Sequence, residues 1–293
     1  MFLVTGPDLV IAACRAGVMG AFPAANTRNL EVFETWLARI SSEVGEAPWA
    51  VNVMTHVSNN RLAGELELIQ RYQPPVVITA LGSPKPAIEA VHAYGGLVIA
   101  DVISLDLARK AIRAGADGLA CVAAGAGGHT GFLSPFAFVS AVRAEFDGLI
   151  VLGGGICDGQ GVAGAVAAGA DLVYLGTRFI AAAESLAVDP YKAMVVGAGL
   201  EDLMVTAAVT GTPASWLKPS LAAAGYDPEN PGAAPPRNYG DANDAAKRWR
   251  DIWGAGQGVG AIKAVEPTAA IVETLAQEYE AAISRIMRSR QRG

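Results

Sequence analysis

Charged side chains are scarce in this chain of 293 residues: 17% are Asp, Glu, Lys or Arg, while 52% are hydrophobic. A disordered chain needs the opposite balance, so a packed core is expected. Cysteine is scarcer still. Cys14, Cys121 and Cys157 lie far apart with no CxxC pair, which excludes a disulfide-stapled scaffold. Basic residues are outnumbered, 22 Lys+Arg against 28 Asp+Glu, for a net charge of −6. A general nucleic-acid binder draws its affinity from phosphate neutralisation, so that class is set aside. No long run fits a membrane span: the longest uncharged stretch, 118–142, is broken by glycines, a His and a Pro. The opening MFLVTGPDLV has no basic region of the kind a signal peptide carries. A cytoplasmic protein with reduced thiols is the expectation.

What is abundant is a repeating texture of short apolar run, Gly-rich corner and helical stretch. The runs are 18–22, 50–54, 76–80, 97–101, 118–122, 149–153 and 172–176. Each is about five residues and apolar at consecutive positions, as in strands buried on both faces of a parallel sheet. Between them, 29–43, 60–72, 85–93, 105–114 and 160–168 space apolar residues three and four apart and read as helices. Two helix-to-strand corners nearly repeat, Ala114-Gly115-Ala116-Asp117 and Ala168-Gly169-Ala170-Asp171, with Gly suited to the left-handed residue after a helix. Seven strands are counted, and the chain opens with a helix at 9–16. The pattern is either an open seven-stranded sheet or an eight-stranded barrel without most of its first strand, residues 1–4 being that strand's end. Beyond the last run, 181–209 reads as helical and 210–251 as a long Pro/Gly-rich loop. A final helix over 267–289 has Pro267 at its first turn. Its basic end, Arg285, Arg288, Arg290 and Arg292, reads as a solvated tail.

Three Gly-rich corners follow strand ends, where parallel α/β folds bind ligands. They are Gly125-Ala126-Gly127-Gly128-His129-Thr130-Gly131, Gly153-Gly154-Gly155-Ile156 and Gly176-Thr177-Arg178-Phe179. The last two come from successive strands and run into helices. Glycine backbones approach an oxyanion closely and helix N-termini favour negative charge, so a phosphorylated ligand is expected there. His129 is one of three histidines. Its flanking residues offer nothing to bury an imidazole, so it is expected to face a ligand as an acid or base. His56 and His92 read as structural. No set of His, Cys and carboxylates at metal spacing accompanies His129, so no metal site is expected.

These motifs, in this order and spacing, resemble the nitronate monooxygenase family. The resemblance continues in Val51-Asn52-Val53, Thr210-Gly211-Thr212-Pro213-Ala214 and Ala255-Gly256-Gln257-Gly258-Val259-Gly260. It implies a (β/α)8 TIM barrel, with most of the first strand missing, over 1–197. A small, mostly helical substrate domain would follow over 198–262, and a C-terminal helix over 263–293 would pack back on the barrel. It implies FMN as cofactor, held by Gly153, Gly154, Gly155, Gly176 and Thr177 at its phosphate, with Asn52, Asp101, Gly127 and Gly128 near the flavin. His129 would be the active-site histidine. Lys218, Trp253 and Gln257 fall in segments expected to close over substrate. The implied reaction takes an alkyl nitronate or nitroalkane with O2 to a carbonyl compound and nitrite.

FMN- and NAD(P)H-dependent enoyl-thioester reductases share most of these motifs and stand as the alternative. A cofactor-poor, non-catalytic protein is the third reading. Three positions depart from the family pattern. Only Met1 matches its first-strand Ala-Pro-Met segment. Gly125 stands where an acidic residue is common. Asp101 stands where some members carry Lys; a carboxylate there disfavours an anionic reduced flavin, or else caps a nearby backbone N–H. The sequence leaves the oligomeric state open, a homodimer included.

Overall fold

The structure is a computed structural model that describes residues 1–236 and 248–290. Arg292 and residues 237–247 of the expected long loop lie outside them.

Seven parallel strands form one curled sheet: β1 (Gly20–Pro23), β2 (Trp49–Met54), β3 (Val76–Ala80), β4 (Leu97–Val102), β5 (Gly118–Val122), β7 (Leu149–Gly153) and β8 (Leu172–Val173). Each pairs with the next along the chain, in the order β1-β2-β3-β4-β5-β7-β8. Between β5 and β7 the two-residue β6 (Gly128–His129) leaves to join a second sheet.

Side-chain alternation curls the sheet around a narrow interior. Ala50, Val76, Ile78, Ile99, Ala120 and Val151 cluster with Ala21 and Tyr174 inside. The neighbouring positions Val51, Val53, Val77 and Val98 pack outward against α1 (Pro7–Arg15), α2 (Leu30–Val44), α3 (Leu62–Tyr72) and α4 (Lys85–His92). Ala100, Val102, Leu119, Ile150 and Leu152 do the same against α5 (Leu105–Ala114), α6 (Pro135–Arg143) and α7 (Gly159–Ala167). Helix starts are set by side-chain caps: Asn29 accepts from the Val32 N–H, Ser104 from Leu107 and Asp158 from Gly161.

The two near-repeated corners do the same work. The Asp117 N–H donates to the Val98 carbonyl at 2.9 Å, and its carboxylate accepts from the Val98 N–H at 2.7 Å and His92 Nε2 at 2.8 Å. The Asp171 N–H donates to the Ile150 carbonyl at 2.8 Å, and its carboxylate accepts from the Ile150 N–H at 2.8 Å and from Arg143. Each Asp thus pins the start of the preceding strand.

Between β1 and β8, residues 1–5 form a turn rather than the end of a strand. Leu3 takes φ +60°, and the Val4 and Thr5 N–H groups both donate to the Met1 carbonyl. The Asn26 amide secures this turn, donating to the Met1 carbonyl at 3.1 Å and the Thr5 carbonyl at 2.7 Å and accepting from the Leu3 N–H.

The helical reading of 181–209 holds only over 189–197. The chain makes the short α8 (Thr177–Ile180), restarts as α9 (Asp189–Gly197) with Pro190 in its first turn, and ends that helix before Gly199. It then enters β9 (Leu203–Thr206). β10 (Ala214–Leu217) pairs antiparallel with both β9 and β6, so a three-stranded sheet lies where mostly helix was expected. Tertiary pairing decides this, because a four-residue apolar segment carries too little periodicity to declare its type. After β10 come α10 (Lys218–Ala223) and the closing α11 (Thr268–Arg290). α11 packs on α7 and α1, and its Glu278 carboxylate accepts from the Gly159 N–H at 2.8 Å.

Asp117→Ala or Asp171→Ala each leaves a strand-start N–H without its acceptor. Each is expected to lower stability by about 1–2 kcal/mol in denaturant unfolding. Burial opposes charge on Asp171, but the Ile150 N–H and Arg143 outweigh it and hold the carboxyl below the ordinary carboxylate range. Its contribution is therefore complete above about pH 4 and fades as pH falls through the depressed value.

Candidate active site

β5 and β7 end side by side, with Val122 paired to Gly153, and both continue into glycine-rich corners at the barrel mouth. The Ala123 N–H donates to the Gly153 carbonyl at 2.7 Å. The Gly125 carbonyl then accepts two bonds, from the Gly155 N–H at 3.0 Å and the Gln257 N–H at 2.9 Å. The Thr177 hydroxyl accepts from the Gly256 N–H at 2.8 Å. Four segments distant in sequence therefore meet here, three through their backbones and the fourth through the Thr177 hydroxyl.

Three of its glycines have no room for a side chain. A Cβ on Gly127 would lie 2.6 Å from the Gly256 nitrogen, and one on Gly256 2.6 Å from the Gly125 oxygen. A Cβ on Gly154, at φ +141°, would lie 2.8 Å from the Ala124 oxygen. Gly155 differs: at φ +69° its missing Cβ would face only the Gln257 Cβ, at 3.9 Å, and the residue is exposed. It offers open backbone for a ligand to approach. Gly176 is half-buried beside Met1.

The helix N-termini contribute less than the sequence suggested. The N-terminal amides of α7 that the structure pairs go to the chain's own carboxylates, Gly159 to Glu278 and Gly161 to Asp158. α8 spans only four residues. An oxyanion here would rest on loop amides, not on a full helix dipole.

Inside the mouth, Asn52 on β2 and Asp101 on β4 meet, the Asn52 amide donating to the Asp101 carboxylate at 3.3 Å. Asp101 Oδ1 is buried without a partner. Burial pushes the Asp101 carboxyl up to about 7, against the pull of the Met1 amine and of Asn52. The same surroundings push the Tyr174 phenol up, chiefly by burial, with Asp101 adding to it. Asp101 bonds to a side chain, so the backbone-capping role considered for it is not the contact the structure makes.

His129 does not stand on a bare loop. It lies on β6, paired with Ala214 of β10, and its ring meets the Trp249 ring edge-on with centroids 5.3 Å apart. Nε2 is buried with no partner among the described residues. Burial lowers its pKa below the ordinary 6.5, so the ring is neutral at pH 7. Composition of the flanking residues could not reveal this, because the packing partner lies 120 residues away.

Of the three residues expected to close over substrate, Gln257 reaches the junction, its side chain beside Gly125 and Gly155. Trp253 stacks on Tyr191 at 5.1 Å and donates to the Arg250 carbonyl, a packing role. Lys218 is the first residue of α10, half-buried. Trp249, Trp216 and Tyr174 were not legible as site residues. Trp249 falls in a segment singled out for closing over substrate, but no spacing links it to His129. His92 and His56 are structural as expected, bonded to Asp117 and Ser58.

Seven parallel strands, a mouth built largely from glycine backbones and a half-buried imidazole beside it make a TIM-barrel ligand site. The chain belongs to the nitronate monooxygenase family, whose model matches residues 28–278. Members of that family are flavin-dependent. A curated relative is (3aS,4S,5R,7aS)-5-hydroxy-7a-methyl-1-oxo-octahydro-1H-indene-4-carboxyl-CoA dehydrogenase of Rhodococcus jostii, 30% identical over 74% of this chain and 61% of its own. The chain spans about three fifths of the length of the curated relatives it matches first. Among solved structures, FabK from Thermotoga maritima superposes with a TM-score of 0.83 at 27% identity, covering 99% of this chain and 93% of that one. Nitroalkane oxidase from Streptomyces ansochromogenes superposes with 0.79 at 27% identity, covering 97% and 94%. Among the described residues no helix is long and apolar enough to cross a membrane.

Two outcomes are expected. Gly256→Ala forces a Cβ against backbone atoms that cannot yield and lowers stability by about 1–3 kcal/mol in thermal unfolding. Asp101 has a folded pKa above its unfolded value, so the fold loses stability as pH rises from about 4 to about 7. Asp101→Asn removes that loss: it is more stable than the parent at pH 8, by on the order of 2–4 kcal/mol, and equal to it near pH 4.

Proposed function

We propose that this protein is an FMN-dependent nitronate monooxygenase, taking alkyl nitronates or nitroalkanes with O2 to a carbonyl compound and nitrite. The observation that carries the reading is the pairing of a cradle built mainly of glycine backbone with a neutral His129 whose buried Nε2 has no partner among the described residues.

The residues fit FMN. Gly155, open and at positive φ, together with Gly153, Gly154, Gly176 and Thr177, forms the candidate phosphate cradle. Asn52, Asp101, Gly127 and Gly128 line the part of the mouth assigned to the ring, where Asp101 Oδ1 is unpartnered. Bound there, a flavin supplies electron transfer between the substrate carbon and O2. The chain's own groups do the rest. His129, held neutral, removes the proton on the carbon that bears a nitro group. Trp249 and the strand pair β6–β10 exclude water from that ring. Gln257 closes the cradle at Gly125 and Gly155. The assignment of 1–197 to the barrel, 198–262 to a substrate unit and 263–293 to a packing helix is part of this reading. So is action in the cytoplasm, consistent with three buried free thiols.

A second reading, reduction of an enoyl thioester by NAD(P)H, is favoured by the relative named for a carboxyl-CoA substrate. One experiment separates them. The purified protein is expected to show flavin absorption that bleaches on anaerobic addition of propyl-2-nitronate and returns in air with nitrite release. Bleaching by NADH but not by nitronate moves the assignment to the reductase, and absence of flavin overturns both. His129→Gln is expected to keep the flavin and lower kcat/KM for a neutral nitroalkane by about 10²–10⁴-fold. In the parent, that rate should fall only below a pH under 6.5, following the lowered pKa of His129.

A further inference from the structure

Trp249 has no part in the cradle, yet it touches three features of the site. Its ring meets the His129 ring edge-on, 5.3 Å between centroids. It stacks on Trp216 at 4.3 Å, the planes 29° apart. It also lies over Gly128, where a Cβ would come within 3.6 Å of the indole. Trp216 is fully buried in a cluster with Val209, Ala214, Leu221 and Ile252, so Trp249 joins that apolar cluster to the imidazole.

We propose that Trp249 is the positioning residue that holds His129 dry and neutral beside the barrel mouth, anchored through its stack on Trp216.

The surroundings leave this role to burial. β10 presents Ala214 and Ser215 to β6, and the corner before His129 carries only Gly and Ala at 125–128. Of the charged groups near Trp249, Arg248 donates to the Val209 carbonyl, and Arg250 pairs with Asp251. Among the described residues, desolvation is the cause of the lowered pKa of His129. An aromatic ring packed against the imidazole removes water from it without offering a hydrogen-bond acceptor that would stabilise its cation. His129 sits on a two-residue strand that owes its place to β10, so displacement of β10 or Trp249 would wet the ring and let it protonate.

This inference rests on His129 as the base, but its test does not require turnover. The holoenzyme labelled with ¹⁵N-histidine carries three histidines, and His129→Gln assigns the signal. Titration by NMR is expected to give a His129 midpoint below 6.5 in the parent. In Trp249→Ala it should rise by ~0.5–1 pH unit, and in Trp249→Phe it should stay near the parent's. The acidic limb of kcat/KM should move up with the midpoint in Trp249→Ala and stay in Trp249→Phe. A purely structural Trp249 would lower stability or kcat and leave both pH values in place. A parent-like midpoint in Trp249→Ala, with His56 and His92 signals unchanged, overturns the proposal. Where Trp249→Ala does not fold, Trp249→Gln decides, since it fills space but brings a polar, hydrated end to the ring: a raised midpoint supports the proposal and a parent-like one overturns it.

Discussion

The Gly125 carbonyl oxygen is the point on which the mouth of this barrel depends. It accepts from the Gly155 N–H after β7 and from the Gln257 N–H that precedes the closing segment. A carbonyl has two lone-pair directions, and here each is given to a different chain segment. Those segments can come close enough only if Gly127, Gly154 and Gly256 carry no side chain, since added Cβ atoms would meet backbone at 2.6–2.8 Å. The glycines are therefore demanded by inter-segment contact as well as by ligand approach, and one chemistry serves both.

A second dependence runs from the small antiparallel sheet to the imidazole. β6 leaves the order of the barrel to pair with β10, and His129 goes with it. The proposed base is thus carried by the second sheet while the phosphate cradle is carried by the barrel. Their relative placement is set where Gly254 and Gly256 pack against Gly128 and Gly127. Burial without a partner follows for His129 Nε2 and for Asp101 Oδ1. Unpaired buried polar atoms cost stability, and they recur where a ligand is to complete the bonding.

Much of the barrel was legible because parallel strands and their helices carry strong local signals. The runs at 76–80, 118–122 and 149–153 match β3, β5 and β7 residue for residue, and Gly115 takes the left-handed φ of +91° that its corner requires. The two Asp corners could be seen as a repeat, though not that each pins the preceding strand. The segment after 181 was misread because apolar composition there is shared by helix and strand. Pairing with Ala214–Leu217 then makes 203–206 a strand. At the site, glycine and histidine betrayed themselves by being hard to explain otherwise. Trp249 and Trp216 carried no signal of their own, since an aromatic side chain says nothing of which ring it will touch.

By itself the sequence determined an α/β chain of seven parallel strands with three glycine corners at strand ends and a lone histidine among them. Periodicity and glycine's conformational freedom are local properties, written in neighbouring residues. Tertiary structure decided which corners share a hydrogen bond and that α7 spends its N-terminus on Asp158 and Glu278. It also decided that His129 lies against Trp249 and that Asp101 is buried beside Asn52. Those facts set protonation and ligand access. They arise from contacts between segments far apart in the chain, where burial and dielectric are fixed by the fold rather than by neighbouring residues.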